Sequence, residues 1–395
     1  MDISLVVISC SDFVANPIGG TLFFLRGILK YFDPDRVLLI GGTWNDDYQL
    51  GKLYTVGING QKMKFVPVFR AKSKGLPIRL QCFNGVWRSF KWIRHEYLNK
   101  REYVLYAHSP EAAFALRLAG SRRIVLHLHG ADNPLTFSRY RFFRNSVFLS
   151  AFEKLILKQA VKKAQLVIGI NTDCINLCRR YKGDNYEYEC VEVPVCTDFD
   201  YFSIESMEPQ IERANPFTVL YVGRLNKVKN VELLIRAIKF LKKNRSDIKL
   251  KIVGSGEELQ NLTKLAESLG VKDSVDFMGS VSHDRLLSFY LSADVFVLPS
   301  YSEGMSVALL EALACGVPSV ASEVGGVRKL IVPGVNGYFI KNFDVSELAS
   351  KIMLAYEKLH DKRQLIRRTV LKYSCENVAQ AIKDEIKRRF RVINV

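Results

Sequence analysis

The sequence predicts an α/β protein of two domains, each a parallel sheet flanked by helices, and three observations carry the prediction. Short apolar runs alternate with amphipathic helical stretches along almost the whole chain, the pattern of linked βαβ units. The 395 residues are too many for one ordinary core and suit two of roughly 150–200 residues each. Several strands run straight into glycine-started turns that open helices, which is where parallel sheets bind ligands.

The apolar stretch 3–9 has no basic segment before it and reads as a first buried strand, not a signal peptide. The turn Asn16-Pro17-Ile18-Gly19-Gly20 follows, then a helical stretch to about Tyr31; Gly19 and Gly20 would let the backbone approach a phosphate closely. Further strands are expected at Arg36–Ile40, Lys64–Phe69, Tyr103–His108, Ile124–His129, Leu166–Ile170 and Glu189–Val193. An acidic, proline-containing segment from Pro194 to about Pro216 reads as the linker. A second series begins with strand Thr218–Val222 and helix Val231–Lys243. It continues through strands Lys249–Val253, Val275–Met278, Val295–Leu298 and Ser319–Ser322. Its helices are expected at Glu257–Gly270, Asp284–Ala293, Ser306–Ala314 and Val327–Val332. The domains are thus 1–203 and 204–375, with a final helix at 376–395 returning to the first.

Composition narrows the function classes. With 48% hydrophobic, 25% charged and 11% aromatic residues, disorder and collagen-like structure are excluded. No apolar run approaches the ~18–20 residues that cross a bilayer. Eight scattered cysteines without a C-x-x-C pair form neither a disulfide framework nor a zinc site, so a reducing cytoplasm is expected.

The net charge of +17 is concentrated. Residues 52–163 hold 22 Lys and Arg against five Asp and Glu, which predicts an anionic partner for one face of the first domain. Within that region Val86, Phe90, Ile93 and Tyr97 recur at helical spacing, with Trp87, Trp92, Arg88, Lys91 and Arg94 interleaved. Phe90 and both tryptophans cannot easily be buried together, so an interfacial belt is expected. Lys154, Lys158 and Lys162 fall on one helix face, which a solvated surface explains as well as a ligand does. A membrane surface and a nucleic-acid groove both use basic residues mixed with aromatics, and composition does not separate them.

The second domain carries the chemistry. Strand Thr218–Val222 runs into Gly223-Arg224-Leu225-Asn226-Lys227-Val228-Lys229. Arg224, Lys229 and a following helix N-terminus suit a diphosphate, although a solvated loop would look similar. Strand Val295–Leu298 leads through Glu303, Gly304, Met305, Ser306 and Val307 into a helix bearing Glu311. Eight helical residues rise about 12 Å, too far apart for one glycosidic bond; the pair suits the two ends of one extended ligand. As purely structural groups, Glu303 would complement a helix dipole and Glu311 would be an exposed helix residue. Gly254 lies in a strand–Gly–helix turn that is only a fragment of a dinucleotide fingerprint. In the first domain His127 and His129 point to one side of a strand end, and His129 is the better placed to reach a ligand. The strings Asp33-Pro34-Asp35 and Asp198-Phe199-Asp200 pair carboxylates by chance, since a two-residue string recurs in a chain this long, and no catalytic metal is expected.

Together these residues resemble the family 4 retaining glycosyltransferases of the GT-B fold, over nearly the whole chain. The resemblance is carried by Gly223-Arg224-Leu225 with Lys229, by Glu303 with Glu311 and Ala312-Leu313-Ala314-Cys315-Gly316, and by the closing Lys372-Tyr373-Ser374-Cys375-Glu376, where Cys375 stands in place of the usual Trp. Pro194, Asp198 and Phe202 match the family's interdomain segment, with Val195-Cys196 replacing Asn-Gly. The resemblance implies two Rossmann-like domains facing across a deep cleft, and metal-independent hexosyl transfer with retention. It implies a UDP- or GDP-linked sugar as cosubstrate and no other cofactor. Arg224 and Lys229 would bind the donor diphosphate with the amides of Gly304–Val307, Glu303 the sugar hydroxyls and Glu311 the ribose. Backbone near Gly279, Ser280 and Val281 would border the base, and His129 the donor sugar. The expected acceptor is a lipid-linked surface-polysaccharide precursor, handled on the cytoplasmic face of the inner membrane. A nucleotide-sugar epimerase or phosphorylase on the same fold, and a nucleic-acid-binding protein, are the competing readings.

Overall fold

The computed structural model describes residues 2–14, 20–70, 77–98, 102–130, 147–183, 186–203 and 216–391. Gly19 and the core of the expected linker, 204–215, lie outside the described residues. The chain divides into two compact units, one of residues 1–195 with 375–395 and one of residues 196–374. The division falls at 195/196 rather than 203/204 because Thr197 pairs with Ser374 and its N–H donates to the Tyr373 carbonyl.

Unit 1 contains β1 (Leu5–Asp12), β2 (Val37–Thr43), β3 (Tyr54–Ile58), β4 (Gln61–Arg70), β5 (Val104–Ala107), β6 (Ile124–Leu128), β7 (Leu166–Gly169) and β8 (Cys190–Glu192), ordered β3-β4-β2-β1-β5-β6-β7-β8. The expectation of a wholly parallel array is corrected at one edge, where β3 runs antiparallel to β4. The cause is Asn59-Gly60, both at positive φ (49° and 79°), the dipeptide that a tight hairpin turn favours. Strands β1, β2 and β5 are buried almost throughout, as parallel strands covered on both faces must be.

Unit 2 contains β9 (Phe217–Val222), β10 (Ile248–Val253), β11 (Val275–Gly279), β12 (Val295–Leu298), β13 (Ser319–Ser322) and β14 (Gly337–Ile340), ordered β11-β10-β9-β12-β13-β14. Every pairing in this sheet is parallel. This is the doubly wound order, with its switch point between β9 and β12. The stretch expected as helix Val327–Val332 is instead a 3₁₀ segment, Gly325–Lys329. Beyond it the sequence reading had placed neither β14 nor the helices Val345–Leu359 and Arg363–Arg368.

The final helix, Cys375–Phe390, is part of unit 1. It packs on the helix Gly20–Leu29, Lys383 Nζ donates to the Tyr31 carbonyl at 3.0 Å, and Arg123 donates to the Phe390 carbonyl at 2.9 Å.

Candidate functional site

At the switch point of unit 2, four loops leave the carboxyl ends of β9, β10, β12 and β13, and main-chain contacts fix them to one another. The Leu225 N–H donates to the Ser255 carbonyl at 2.9 Å, and the Gly254 N–H to the Gly279 carbonyl at 2.8 Å. The Tyr301 N–H donates to the Val228 carbonyl, also at 2.8 Å. Gly254 stands at φ 138°, and a Cβ there would lie 1.9 Å from the Gly223 carbonyl oxygen. Gly325, at φ 48°, would place a Cβ 1.7 Å from the Glu303 carbonyl oxygen, and the Gly326 N–H donates to the Gly304 carbonyl at 2.8 Å. Gly325 and Gly326 support the Glu303 loop from below. Sequence reasoning missed them, although a glycine pair just after a strand was their signal.

Asn226 accepts from the Lys229 N–H and starts a single 3₁₀ turn. That turn aims the Lys229 ammonium at Glu303, 2.5 Å from its Oε1, while Ser300 Oγ donates to the same oxygen at 2.8 Å. Both side chains are largely buried, 17% and 8% exposed. Arg224 is exposed, and among the described residues it forms no ion pair. One cation is therefore held against a carboxylate while its neighbour faces solvent. Val281 follows Ser280, whose hydroxyl meets that of Ser255 at 2.7 Å.

The helix Val307–Ala314 is capped by Ser306, whose Oγ accepts from the Leu309 N–H. Gly304, Met305 and Val307 flank that cap in the chain. Glu311 is not the exposed helix residue a purely structural role predicts: it is 4% exposed. Tyr290 Oη donates to its Oε2 at 2.7 Å, and His283 Nε2 lies 3.1 Å from its Oε1. Burial, and then the adjacent Glu311 charge, push the Tyr290 hydroxyl pKa well up, so it remains a donor. The carboxyl end of this helix is held as firmly. Arg363 donates to the Cys315 and Ala293 carbonyls, and Arg367 to those of Ala314, Phe199 and Phe202. Cations at a helix C-terminus complement its dipole. Tyr290, His283, Arg363 and Arg367 carried no sequence signal, because their partners lie 21 to 168 residues away.

In unit 1, His127 and His129 face the same way, their rings 4.5 Å apart and 7° from parallel. The structure adds His108, from the end of β5, whose Nδ1 lies 3.0 Å from His129 Nε2. Tyr106 Oη meets His127 Nδ1 at 2.5 Å. Burial drives the His127 and His108 pKa values well down, and His129 to about 3, so all three are neutral imidazoles at neutral pH. Three neutral imidazoles are a ligand set for a transition metal, with one nitrogen of each within 4.8 Å of the others. An imidazole ligates in its own plane, however, and the planes of His127 and His129 are nearly parallel. No single ion lies in both as the rings stand. The two Asp-x-Asp strings are turns: Asp33 accepts from the Asp35 N–H, and Asp198 from the Tyr201 N–H. Gly20 begins the helix Gly20–Leu29.

The basic region of unit 1 presents an aromatic edge. On the helix Ile78–Tyr97, Phe90 is fully buried while Trp87 and Trp92 are about half exposed. A cavity of about 470 Å³ between this helix and β4 is lined by Leu50, Phe69, Arg70, Asn84, Arg88 and Ser89. Lys154, Lys158 and Lys162 are exposed on one face of the helix Val147–Lys163. Among the described residues no helix is long and apolar enough to cross a membrane.

Residues 203–370 match the family model "Glycosyl transferases group 1". The chain is 45% identical over 123 residues to an uncharacterized glycosyltransferase of Methanocaldococcus jannaschii, covering 31% of each protein. It is 34% identical over 159 residues, 39% of each, to the D-inositol 3-phosphate glycosyltransferase of Paenarthrobacter aurescens. The chain spans between about a third and a half of the length of the curated relatives it matches. Among solved structures it is similar to the sucrose-phosphate synthase of Thermosynechococcus elongatus, with a TM-score of 0.78 at 20% identity over 98% of this chain and 99% of that one. It is similar also to HepE of Anabaena, solved with UDP and glucose, with a TM-score of 0.71 at 19% identity over 98% and 99%. The fold is GT-B.

Proposed function

We propose, from the match of residues 203–370 to the glycosyl transferases group 1 family model, that this protein moves a hexose from a nucleotide-sugar donor to a glycan hydroxyl with retention and without a metal. The observation that carries the reading is the arrangement in unit 2. Arg224 is exposed at the end of β9, Lys229 is paired with Glu303, and Glu311 is buried on the helix that begins between the two glutamates. A nucleoside diphosphate sugar has charge and hydroxyls in that order.

In this reading Arg224, Lys229 and the amides of Gly304–Val307 hold the diphosphate, Glu303 the sugar hydroxyls and Glu311 the ribose. Gly254 and Val281 border the nucleotide, while His129, Gly19 and Gly20 are what unit 1 itself offers to a hydroxyl or phosphate oxygen. The acceptor hydroxyl attacks the anomeric carbon on the face from which the nucleoside diphosphate departs. The C1–O bond to the β-phosphate breaks as the new C1–O bond forms, and the leaving phosphate takes the hydroxyl proton. Lys229 and Arg224 offset its growing charge, a stabilisation worth most in a site that excludes water. UDP and glucose in the HepE structure support a donor of this class.

The acceptor we propose is a lipid-linked polysaccharide precursor at an anionic membrane. Its support is the exposed Trp87 and Trp92 among the basic residues of 52–163. The test pairs two assays of the purified chain. A screen of UDP- and GDP-sugars against a lipid-diphosphate acceptor pool, read by mass spectrometry, should give acceptor-dependent transfer that persists in EDTA. Conversion of donor without acceptor would mean an epimerase. Flotation with anionic liposomes should carry the protein upward, and recovery of all of it in the dense fraction would remove the membrane part.

A further inference from the structure

His108 Nδ1 and His129 Nε2 lie 3.0 Å apart, so one of these two neutral imidazoles donates and the other accepts. The remaining nitrogen of His108, Nε2, is buried without a hydrogen-bond partner among the described residues. If His129 were the donor, His108 would carry its own proton on Nε2, as a buried N–H with nothing to meet. An orphaned buried N–H is the rarer arrangement, and an unused acceptor the better tolerated one. The lower-energy choice puts the proton of His108 on Nδ1, pointing at His129. His129 must then carry its single proton on Nδ1, which has no partner among the described residues. Its ring plane is held by the parallel His127 ring at 4.5 Å and by the edge of Phe24 at 5.4 Å. A doubly protonated ring would escape this logic, but burial lowers the His108 pKa well below its usual value and takes that of His129 to about 3.

We propose that His108 is a positioning residue that locks His129 in the Nδ1–H tautomer, so that His129 meets its ligand as a hydrogen-bond donor to a hydroxyl or phosphate oxygen and not as a proton acceptor. The lone pair that a general base would need is already occupied by His108. The ligand-facing half rests on the transferase reading, whereas the tautomer lock does not.

The deciding measurement uses the full chain, ¹⁵N-labelled at its six histidines and assigned by single substitution. Long-range ¹H–¹⁵N correlation at neutral pH should show Nδ1–H on both His129 and His108. A His129 protonated on Nε2 in the unmodified protein would overturn the proposal, whether or not any variant folds. His108→Phe keeps the bulk and removes the donor, so the His129 signals should shift toward mixed tautomers. His108→Gln keeps an N–H and should restore Nδ1–H. In transfer assays His108→Phe and His129→Phe should each lower kcat/KM about tenfold, with the double variant no worse than His129→Phe. His108→Gln should recover most of the loss, and equal impairment of the Gln and Phe variants would also overturn the lock. An Nδ1–H tautomer together with unchanged kcat/KM in His129→Phe would instead overturn the placing of His129 against substrate.

Discussion

The polar clusters at the sheet ends of the two units differ in kind. Unit 2 gathers charge: Lys229 on Glu303, an exposed Arg224 and a buried Glu311. Arg224, Lys229 and Glu303 sit on loops packed against Gly254 and Gly325, which admit no side chain, and Glu311 on the helix that follows. Unit 1 gathers neutral groups: three imidazoles and a phenol, dry enough that burial suppresses their protonation. A diphosphate requires the first kind of environment, since only fixed charge and main-chain N–H groups offset a leaving phosphate. A sugar hydroxyl is met adequately by the second, where a neutral donor adds direction without drawing in counterions. Under the proposed reading, fixed charge is the property of one sheet end and neutral hydrogen bonding that of the other.

The largest expected effect lies in the charged cluster. Lys229→Ala should lower kcat by about 10²–10³-fold, the usual loss when one donor to a developing anion is removed; a loss below threefold in steady-state assays would break the contrast. Gly325→Ala should come next. Its Cβ has no room beside the Glu303 carbonyl, and displacing that loop should cost turnover about as heavily as Glu303→Gln. Titration with donor should show Glu311→Ala raising donor Kd about tenfold with little change in kcat. The same variant leaves the buried Tyr290 hydroxyl unpaired, a cost of about 1–3 kcal/mol that a urea denaturation series should reveal.

The neutral cluster predicts a pH effect instead. His108, His127 and His129 have depressed pKa values in the folded chain, so below about pH 6.5 the unfolded chain binds more protons. Their contribution to stability is fully present above that pH and is lost as pH falls toward the folded values, with a limiting slope of about 1.4 kcal/mol per pH unit for each histidine. His127→Phe should flatten the fall in urea midpoint between pH 7 and pH 5. An unchanged slope would show that His127 does not contribute. The smallest expected effect is at the surface: Trp87→Ala with Trp92→Ala should leave soluble-acceptor kinetics unchanged and reduce only liposome flotation.

Much of unit 2 was legible in the sequence because its chemistry is local. Strands Val295–Leu298 and Ser319–Ser322 were expected with the bounds the structure gives, and Lys229 and Glu303 each lie within seven residues of a strand end. Their meeting across 74 residues follows once β9 and β12 are neighbours. Trp87 and Trp92 could also be placed outside from the crowding of one helix face. His108 could not be paired with His129, nor Tyr290 with Glu311, because neither pair shares a spacing that a period of 2 or 3.6 residues would expose.

The sequence by itself determined the alternation of strands and helices, the basic bias of residues 52–163 and the loops that carry Arg224, Lys229 and Glu303, since each is written in neighbouring residues. Tertiary structure alone decided which carboxylate oxygen faces which donor, that Gly325 must be glycine, and that three histidines share one dry site. Those properties depend on strand order and burial, which bring together groups that the chain keeps far apart.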